Sequence, residues 1–226
     1  KITIDSALQT SQNYIQITDP DNELSYKNSL STNVRLEGYN ISRIDDYFEK
    51  NLNFYQTNQK NEDNKTTPTV LPYLIYNSGN TVYNGNDVSN TYEFYNIFRD
   101  KNTDIHSKRQ QKLSHKFISS KSYIKYNSKI TFNTEIYNQF FNTENKLIQN
   151  NDYHSGNLYR FFPILSIGSE SPFNFNNDKH KLTYNPKLQL VLTPGKSNSN
   201  KLSNEDSSNN DYSLLNSTQL NRFNGT

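Results

Sequence analysis

The side chains best suited to acid–base or metal chemistry in this chain are four histidines and one short acidic cluster. His106, His115, His154 and His180 are scattered, and none lies at metal-ligand spacing from another histidine or from a carboxylate. The cluster Asp19-Pro-Asp-Asn-Glu23 lacks the glycine and the spaced glutamate that a calcium-binding loop needs. We therefore expect solvated histidines, and a β-turn at the acidic cluster.

Other kinds of chemical site find equally little support. The chain has no cysteine, which excludes a disulfide framework and a thiolate metal site within these residues. Neither a nucleophile elbow nor a glycine-rich phosphate-binding loop is present. The basic run Lys108-Arg109 with Lys112 is typical of a solvated face, and a net charge of +2 does not indicate a nucleic-acid surface. The sequence thus predicts no enzyme, no metal, no cofactor and no nucleic-acid partner.

The composition differs from that of ordinary soluble domains and also from that of disordered chains. Only 31% of the 226 residues are hydrophobic, and the mean hydropathy is -0.97, although a globular domain usually has a larger apolar share. The chain nevertheless carries 17 tyrosines and 13 phenylalanines, whereas disordered chains are poor in aromatic residues. Codon bias in an AT-rich genome explains much of the asparagine excess, but it does not explain the regular alternation described next.

Residues 182–193 alternate between apolar and polar side chains. The apolar row is Leu182, Tyr184, Pro186, Leu188, Leu190 and Leu192. The polar row is Thr183, Asn185, Lys187, Gln189 and Thr193. This period of two predicts a β-strand with one apolar and one wet face. If the apolar face contacts lipid, a slip of one residue would turn Lys187 toward it, at a cost of about 2–4 kcal/mol.

Similar runs recur along the whole chain. We predict strands at 2–10, 13–19, 29–41, 46–56, 69–78, 89–99, 111–124, 129–141, 158–169 and 182–193, about ten in all. The runs 29–41 and 46–56 are expected to pair as a hairpin. Polar loops are expected near 57–67, 79–88, 142–157 and 195–212. Pro72, Pro163 and Pro186 lie inside strand-like runs, where each needs an edge, a strand end or a bulge, and in a barrel we expect bulges.

These features favour an all-β fold, an antiparallel up-and-down meander that forms part of a transmembrane outer-membrane β-barrel. Each strand of such a barrel shows one face to lipid and the other to a watery lumen, so a hydrophilic average coexists with apolar stripes. No apolar stretch approaches the ~20 residues that a membrane-spanning helix needs. Two alternatives remain open at this point. One is another barrel, such as a porin or receptor, and the other is a soluble, Asn-rich β-sandwich that serves as a surface-binding module.

Alternation also assigns side chains to the two faces of the expected barrel. The lumen-facing candidates are polar, namely Arg35, Glu37, Lys129, Asn133, Glu135, Lys187 and Gln189. The lipid-facing candidates are apolar, namely Leu30, Val34, Leu36, Ile130, Phe132, Ile136, Leu188, Leu190 and Leu192. The polar candidates either contact a polar substrate or merely hydrate the interior, and alternation alone supports both interpretations.

Several short motifs occur in a fixed order along the chain. The first half contains Arg35-Leu-Glu-Gly-Tyr39, Asp46-Tyr-Phe48 and Pro68-Thr-Val-Leu-Pro72 with Tyr76. The second half contains Arg160-Phe-Phe-Pro-Ile-Leu165 with Ser171-Pro-Phe173, Asn185-Pro-Lys-Leu-Gln-Leu-Val-Leu-Thr-Pro194, Asn204-Glu-Asp-Ser207 and Leu220-Asn-Arg-Phe-Asn-Gly225. In this order the motifs resemble the LPS-assembly protein LptD family, also called organic solvent tolerance proteins, and the second set resembles its alphaproteobacterial form.

The resemblance implies a large barrel in the Gram-negative cell outer membrane that inserts lipopolysaccharide into the outer leaflet. The implied partners are lipopolysaccharide, an LptE-like plug lipoprotein, an LptA-like periplasmic bridge and outer membrane lipid. The chain opens on the strand-like Lys1-Ile-Thr-Ile4, with no signal peptide or recognisable jellyroll. We therefore expect residues 1–226 to be a partial barrel domain, an internal piece of such a protein.

The stretch from residue 204 to residue 223 permits two interpretations. Its acidic residues Glu205 and Asp206 could pair with Arg222, or bind divalent cations near lipopolysaccharide phosphates. Alternatively, Glu205, Asp206, Arg222 and Phe223 only fix the shape of a structural loop. We favour the structural loop.

Overall fold

The chain is built almost wholly of antiparallel β-strands in its computed structural model, which describes residues 1–9, 11, 14–58, 63–148, 152–177, 180–195, 199–202 and 205. The strands are β1 (Ile2–Ser6), β2 (Ser29–Tyr39), β3 (Tyr47–Thr57), β4 (Thr69–Asn77), β5 (Thr81–Tyr83), β6 (Asn86–Phe98), β7 (Arg109–Lys125), β8 (Ser128–Leu147), β9 (Tyr153–Glu170), β10 (Phe173–Asn177), β11 (His180–Tyr184) and β12 (Lys187–Leu192). A short helix, α1 (Tyr14–Thr18), and 3₁₀ turns at Glu23–Tyr26 and Asn64–Thr66 lie in the connections. Within the described ranges, no helix has the length and apolar character needed to cross a membrane.

Ten of the strands form one main sheet. Its order is β1-β2-β3-β4-β6-β7-β8-β9-β12, and β5 pairs with the start of β6. The strands β10 and β11 form a separate two-stranded sheet between β9 and β12. All of these pairings are antiparallel, so the predicted up-and-down meander is confirmed.

The predicted hairpin is confirmed as the pair β2 and β3, whose register runs from Ser29 opposite Thr57 to Tyr39 opposite Tyr47. A bulge also occurs at Pro72, because the register of β4 shifts between Val70 and Tyr73. The bulge expected at Pro163 is absent, and this residue lies in regular register opposite Ile136. On its other side, β12 reaches only Leu165 in the described chain, so β9 has a free edge at Pro163 and the missing N–H costs no ladder bond there.

Two of the predicted strands are wrong. The run 13–19 contains the helix α1 instead, in which the Asp19 N–H donates to the Ile15 carbonyl at 2.9 Å. The single strand expected at 182–193 is broken into β11 and β12 at Asn185-Pro186. Because proline has no N–H, Pro186 cannot continue the ladder and ends it instead of forming a bulge.

Several boundaries also differ from the predicted ones. Most of the loop expected at 142–157 is strand, because β8 continues to Leu147 and β9 begins at Tyr153. The loop expected at 79–88 contains β5 and the start of β6, and the first strand ends at Ser6. The β-turn at the acidic cluster is confirmed, since the Asn22 N–H donates to the Asp19 carbonyl at 3.2 Å. Most of the loop expected at 195–212 lies outside the described residues.

Candidate functional site

The pairing register brings the polar rows of successive strands onto one face of the main sheet, called the polar face below. Side chains directly opposite each other in an antiparallel pair share a face. Glu37 lies opposite Glu49 in the β2–β3 pair, and Glu170 lies opposite both Lys129 and Lys187. The polar face includes Asn33, Arg35, Glu37, Glu49, Asn51, Glu93, Gln110, Lys112, Ser114, Lys116, Lys129, Asn133, Glu135, Tyr137, Arg160, Glu170, Lys187 and Gln189.

The opposite side of the same sheet, called the apolar face, carries the complementary rows. It includes Leu30, Val34, Leu36, Leu52, Phe54, Leu74, Phe94, Leu113, Phe117, Ile130, Phe132, Ile136, Phe140, Phe161, Leu165, Ile167, Leu188, Leu190 and Leu192. The seven polar candidates named from the sequence thus share one face, and the nine apolar candidates share the other. The backbone register brings each set together over strands that are distant in sequence.

Charged side chains on the polar face are buried while large apolar side chains on the apolar face are exposed, which is the reverse of a water-soluble protein. On the polar face, Lys112 and Glu135 have relative exposures of 8% and 9%. On the apolar face, Phe132 and Phe161 have exposures of 47% and 54%. No second described layer covers either face of the main sheet, so the unequal exposure indicates that the sheet curves toward its polar side. A β-sandwich would instead bury its apolar faces against each other.

Leu30 is the exception among the apolar candidates, with an exposure of only 1%. It lies opposite Gln56, and the Gln56 side chain accepts from the Gln9 N–H and donates to the Gln9 carbonyl, both at 3.1 Å. Nearby, the fully buried Asn58 amide donates to the Leu24 and Lys27 carbonyls, both at 3.0 Å. These bonds hold the connection between β1 and β2 against this end of the hairpin. Leu30 therefore packs within the chain and presents no free apolar surface.

The N-terminal part of the polar face is a cluster of ion pairs. Arg35 donates to Glu49 at 2.7 Å and lies 2.9 Å from Glu37, two carboxylates directly opposite each other in register. The Tyr47 hydroxyl also donates to Glu49, and the Lys1 ammonium lies 3.5 Å from Glu37. Arg35 thus keeps two like charges side by side that would otherwise repel each other.

Cross-strand ion pairs continue along the rest of this face. Lys112 contacts Glu93 at 3.0 Å, and Lys116 contacts Glu135 at 3.3 Å. Asn133 accepts from the Ser120 hydroxyl at 2.8 Å and donates to the Ser166 hydroxyl at 3.3 Å. At the C-terminal end, Glu170 lies between Lys129, at 3.9 Å, and Lys187, at 3.3 Å.

The sequence candidates on this face therefore act largely as halves of cross-strand pairs. The missing partners are Glu49, Lys116 and Glu170, which the sequence analysis did not name. Lys112, which was expected on a solvated face, is instead buried and pairs with Glu93. The hairpin register was the available signal, because the pairing of 29–41 with 46–56 places Glu49 beside Glu37. Chemically, the face offers many hydrogen-bond donors and acceptors with their charges locally balanced. Among the described residues, no group of three or more His, Asp and Glu side chains could hold a metal ion.

The turn between β2 and β3 is organised by Asp46, which has an exposure of only 1%. Its carboxylate accepts the N–H groups of Ile41, Ser42 and Arg43 at 2.6, 2.8 and 3.1 Å. The Tyr76 hydroxyl donates to the same carboxylate at 3.3 Å and joins the turn to β4. Burial by itself would raise the pKa of Asp46, but the backbone donors stabilise the anion and hold the pKa below its usual value.

Glu205 pairs with a residue that the sequence did not suggest as its partner. Its two carboxylate oxygens accept from the two terminal nitrogens of Arg99, at 2.6 and 3.2 Å. His106 lies 3.6 Å from the same carboxylate. Pairing of Glu205 and Asp206 with Arg222 was the alternative to the structural loop, and Asp206, Arg222 and Phe223 lie outside the described residues.

The comparisons with known proteins agree with this architecture. A family model described as LptD, LPS transport system D, matches residues 1–226, the entire chain. No curated protein matches the sequence.

Proposed function

The chain belongs to the LptD family and is an outer-membrane β-barrel component of lipopolysaccharide transport, and we propose that its main sheet forms one section of the barrel wall. In this section the apolar face contacts membrane lipid, and the polar face lines the lumen along which lipopolysaccharide passes. Residues 1–226 contribute a single partial barrel domain. The protein is thus located in the outer membrane and serves outer-membrane assembly through transport, without a catalytic step.

The inverted burial of the main sheet is the observation that supports this proposal. A sheet that buries charged side chains such as Lys112 and Glu135 while it exposes its leucine and phenylalanine face has its favourable environment in a bilayer, where lipid replaces the missing apolar layer. Continuous antiparallel pairing satisfies the backbone polar groups inside the sheet, as hydrocarbon requires. Strands as long as β8 (Ser128–Leu147) exceed the ~9–11 residues needed to cross a bilayer when tilted.

The paired charges explain how such a wall can pass an amphipathic glycolipid. Lipopolysaccharide phosphates and sugars need hydrogen-bond partners in the lumen, and the pairs Lys112–Glu93 and Lys116–Glu135 offer both donors and acceptors. Because each lysine is already neutralised by a carboxylate, a passing phosphate meets no unbalanced positive charge that would trap it. The polar face therefore permits passage, while the driving force comes from elsewhere in the transport system.

The proposed partners follow from the family. An LptE-like lipoprotein would plug the lumen, and an LptA-like periplasmic bridge would deliver lipopolysaccharide. The lumen-facing assignment covers Arg35, Glu37, Lys129, Asn133, Glu135, Lys187 and Gln189. The lipid-facing assignment covers Val34, Leu36, Ile130, Phe132, Ile136, Leu188, Leu190 and Leu192, whereas the buried Leu30 is left out of it.

Two adjacent substitutions in β12 test the assignment of the faces. Leu190→Arg would place a charge in lipid, at a cost of about 2–4 kcal/mol near the midplane, whereas Gln189→Arg would place the same charge in the lumen. In the full-length protein, we expect Leu190→Arg to lower sharply the fraction that assembles in outer membranes, and Gln189→Arg to leave it near wild type. Equal losses for the two variants would contradict the proposal.

A further inference from the structure

The hairpin of β10 and β11 has one apolar side that no described part of the chain covers. Phe173 lies opposite Tyr184 and Phe175 lies opposite Leu182, so these four side chains share one side. Their exposures are 46%, 61%, 60% and 62% for Phe173, Tyr184, Phe175 and Leu182. The other side is polar, and there the Thr183 hydroxyl donates to Asn174 at 3.0 Å.

This hairpin continues the β9–β12 pair beyond a break formed by two prolines. Pro172 and Pro186 interrupt the two strands at diagonal positions, since Pro186 lies opposite Ser171, whose N–H donates to the Pro186 carbonyl at 3.2 Å across the break. The apolar side consists of odd-numbered residues in both β9 and β10, and of even-numbered residues in both β11 and β12. The apolar side of the hairpin therefore extends the row that contains Ile167 and Leu188. Since each proline removes a ladder donor, the hairpin can take its own angle relative to the main sheet.

The base of the hairpin is attached to the neighbouring turn between β7 and β8. The Asn127 side chain donates to the Pro172 carbonyl at 2.9 Å, and the Ser128 and Ser171 hydroxyls lie 2.6 Å apart. β8 does not extend alongside the hairpin, because the first residues of β8 lie opposite the last residues of β9. In the described chain, the hairpin therefore stands past the end of the sheet with both of its edges open.

Two environments are unfavourable for the hairpin. Hydrocarbon is unfavourable because both outer edges of the hairpin are open in the described chain, and lipid tails cannot satisfy the backbone N–H and C=O groups along them. Bulk water is unfavourable because four large apolar side chains would be exposed together. The membrane–water boundary meets both requirements, since water reaches the edges while the apolar side enters the acyl region. Tyr184 adds a side chain with the amphipathic character that this boundary favours.

We propose that the β10–β11 hairpin rests on the phospholipid surface, with Phe173, Phe175, Leu182 and Tyr184 inserted at the level of the headgroups and upper acyl chains. This proposal rests on the proposed function, because it continues the lipid-facing side of the barrel wall onto the surface of the leaflet. The hairpin then acts as an interfacial anchor that fixes the depth of the β9–β12 side of the wall.

Single-tryptophan fluorescence tests the proposal directly, because the chain contains no tryptophan. Phe175→Trp reports on the apolar side, Asn174→Trp on the polar side of the same strand, and Leu190→Trp on the barrel wall. Each variant is reconstituted in phosphatidylcholine vesicles whose acyl chains carry bromine either near the headgroup or near the bilayer centre. We expect shallow bromine to quench Phe175→Trp at least twofold more than deep bromine does, and at least twofold more than it quenches Asn174→Trp.

The outcomes separate this proposal from the proposed function. If bromolipid quenches Leu190→Trp but quenches Phe175→Trp no more than Asn174→Trp, the wall assignment stands and the anchor is refuted. Blue-shifted emission from Phe175→Trp without quenching would mean that a second copy of the chain covers the hairpin, and would also refute it. If Leu190→Trp is not quenched, the lipid-facing assignment itself fails. Tyr184→Trp serves as a second reporter on the apolar side if Phe175→Trp does not fold.

Discussion

Arg99 and Glu205 form a bidentate ion pair in which both side chains are almost fully buried, with exposures of 4% and 3%. Arg99 follows directly on β6, whereas Glu205 lies 106 residues later in the sequence. The pair therefore attaches a late segment of the chain to the connection between β6 and β7. The nearby Lys146 ammonium donates to the Asp104 carbonyl at 3.3 Å and ties the end of β8 to the same connection.

Removal of one partner of this pair should be costly. Arg99→Met would leave a buried carboxylate without its guanidinium, and we expect the free energy of unfolding to fall by about 3–5 kcal/mol. Urea unfolding in lipid vesicles measures the change. The matched control is Lys187→Met, because Lys187 and Glu170 form a much more exposed pair for which a loss of only about 0–1 kcal/mol is expected. The double variant Arg99→Met/Glu205→Leu should be more stable than Arg99→Met alone, and a double variant of equal or lower stability would contradict this account.

Gly79 should tolerate no side chain, for two separable reasons. Its φ of +68° is left-handed, and a Cβ there would meet the Asp45 carbonyl oxygen at 2.8 Å. Gly195 has a similar φ of +63°, and no atom of the described residues lies within 4 Å of its Cβ position. We expect Gly195→Ala to cost about 1–2 kcal/mol of stability from backbone strain alone. Gly79→Ala should cost clearly more, because it adds a clash with the backbone of the β2–β3 turn. Similar losses from the two variants would show that the close contact at Gly79 relaxes freely.

The β2–β3 turn should open in acid. The pKa of Asp46 lies below its unfolded value of 3.8, so its contribution to stability is complete above that pH and is lost as the pH falls through the lower folded pKa. We expect the amides of Ile41, Ser42 and Arg43 to lose protection from hydrogen exchange over this acidic range. Asp46→Asn should remove their protection at neutral pH as well. The exposed neighbour Asp45 provides the control, since Asp45→Asn should leave the protection of these amides unchanged.

The chain should need an amphipathic environment to fold. Its apolar face exposes rows of leucine and phenylalanine, and β1 and β12 end the described sheet with open edges. We expect the 226-residue chain to give a cooperative unfolding transition in lipid or detergent but none as a monomer in plain buffer. Circular dichroism during thermal unfolding distinguishes the two. A cooperative transition of a detergent-free monomer would contradict the lipid-facing assignment.

Alternation predicted the two faces of the sheet because the period of two is a local property that every half-buried strand must show. Leu190 and Gln189 could be placed on opposite faces without any knowledge of their neighbours. The same pattern failed at Tyr14–Thr18, since apolar residues at Ile15 and Ile17 do not reveal whether a partner strand lies beside them. The ends of β8 and β9 were missed for a related reason. Beyond Phe141 the strand β8 continues through polar residues, so no alternation marks it.

The ion pairs on the polar face could not be predicted from one strand, because they depend on the register between neighbouring strands. Glu135 was named as a candidate from its own strand, but its partner Lys116 lies on β7 and is fixed only by the register between the two strands. The Arg99–Glu205 pair was still harder to predict, because it joins two connections whose sequences have no regular pattern. Pro186 was recognised as a disturbance of the ladder, but the sequence did not show that Pro172 lies diagonally across from it and completes the break.

The meander also has a consequence for the way in which this sheet forms. From β2 to β9, every strand of the main sheet pairs with the strand made just before it, apart from the short β5, which folds back onto β6. Most of the growing chain can therefore extend the sheet one hairpin at a time, without waiting for a distant segment to arrive. Each added strand also covers the open edge of its predecessor, so an edge that could recruit a foreign chain exists only briefly. The chain must then reverse direction through the β10–β11 hairpin before β12 can pair with β9.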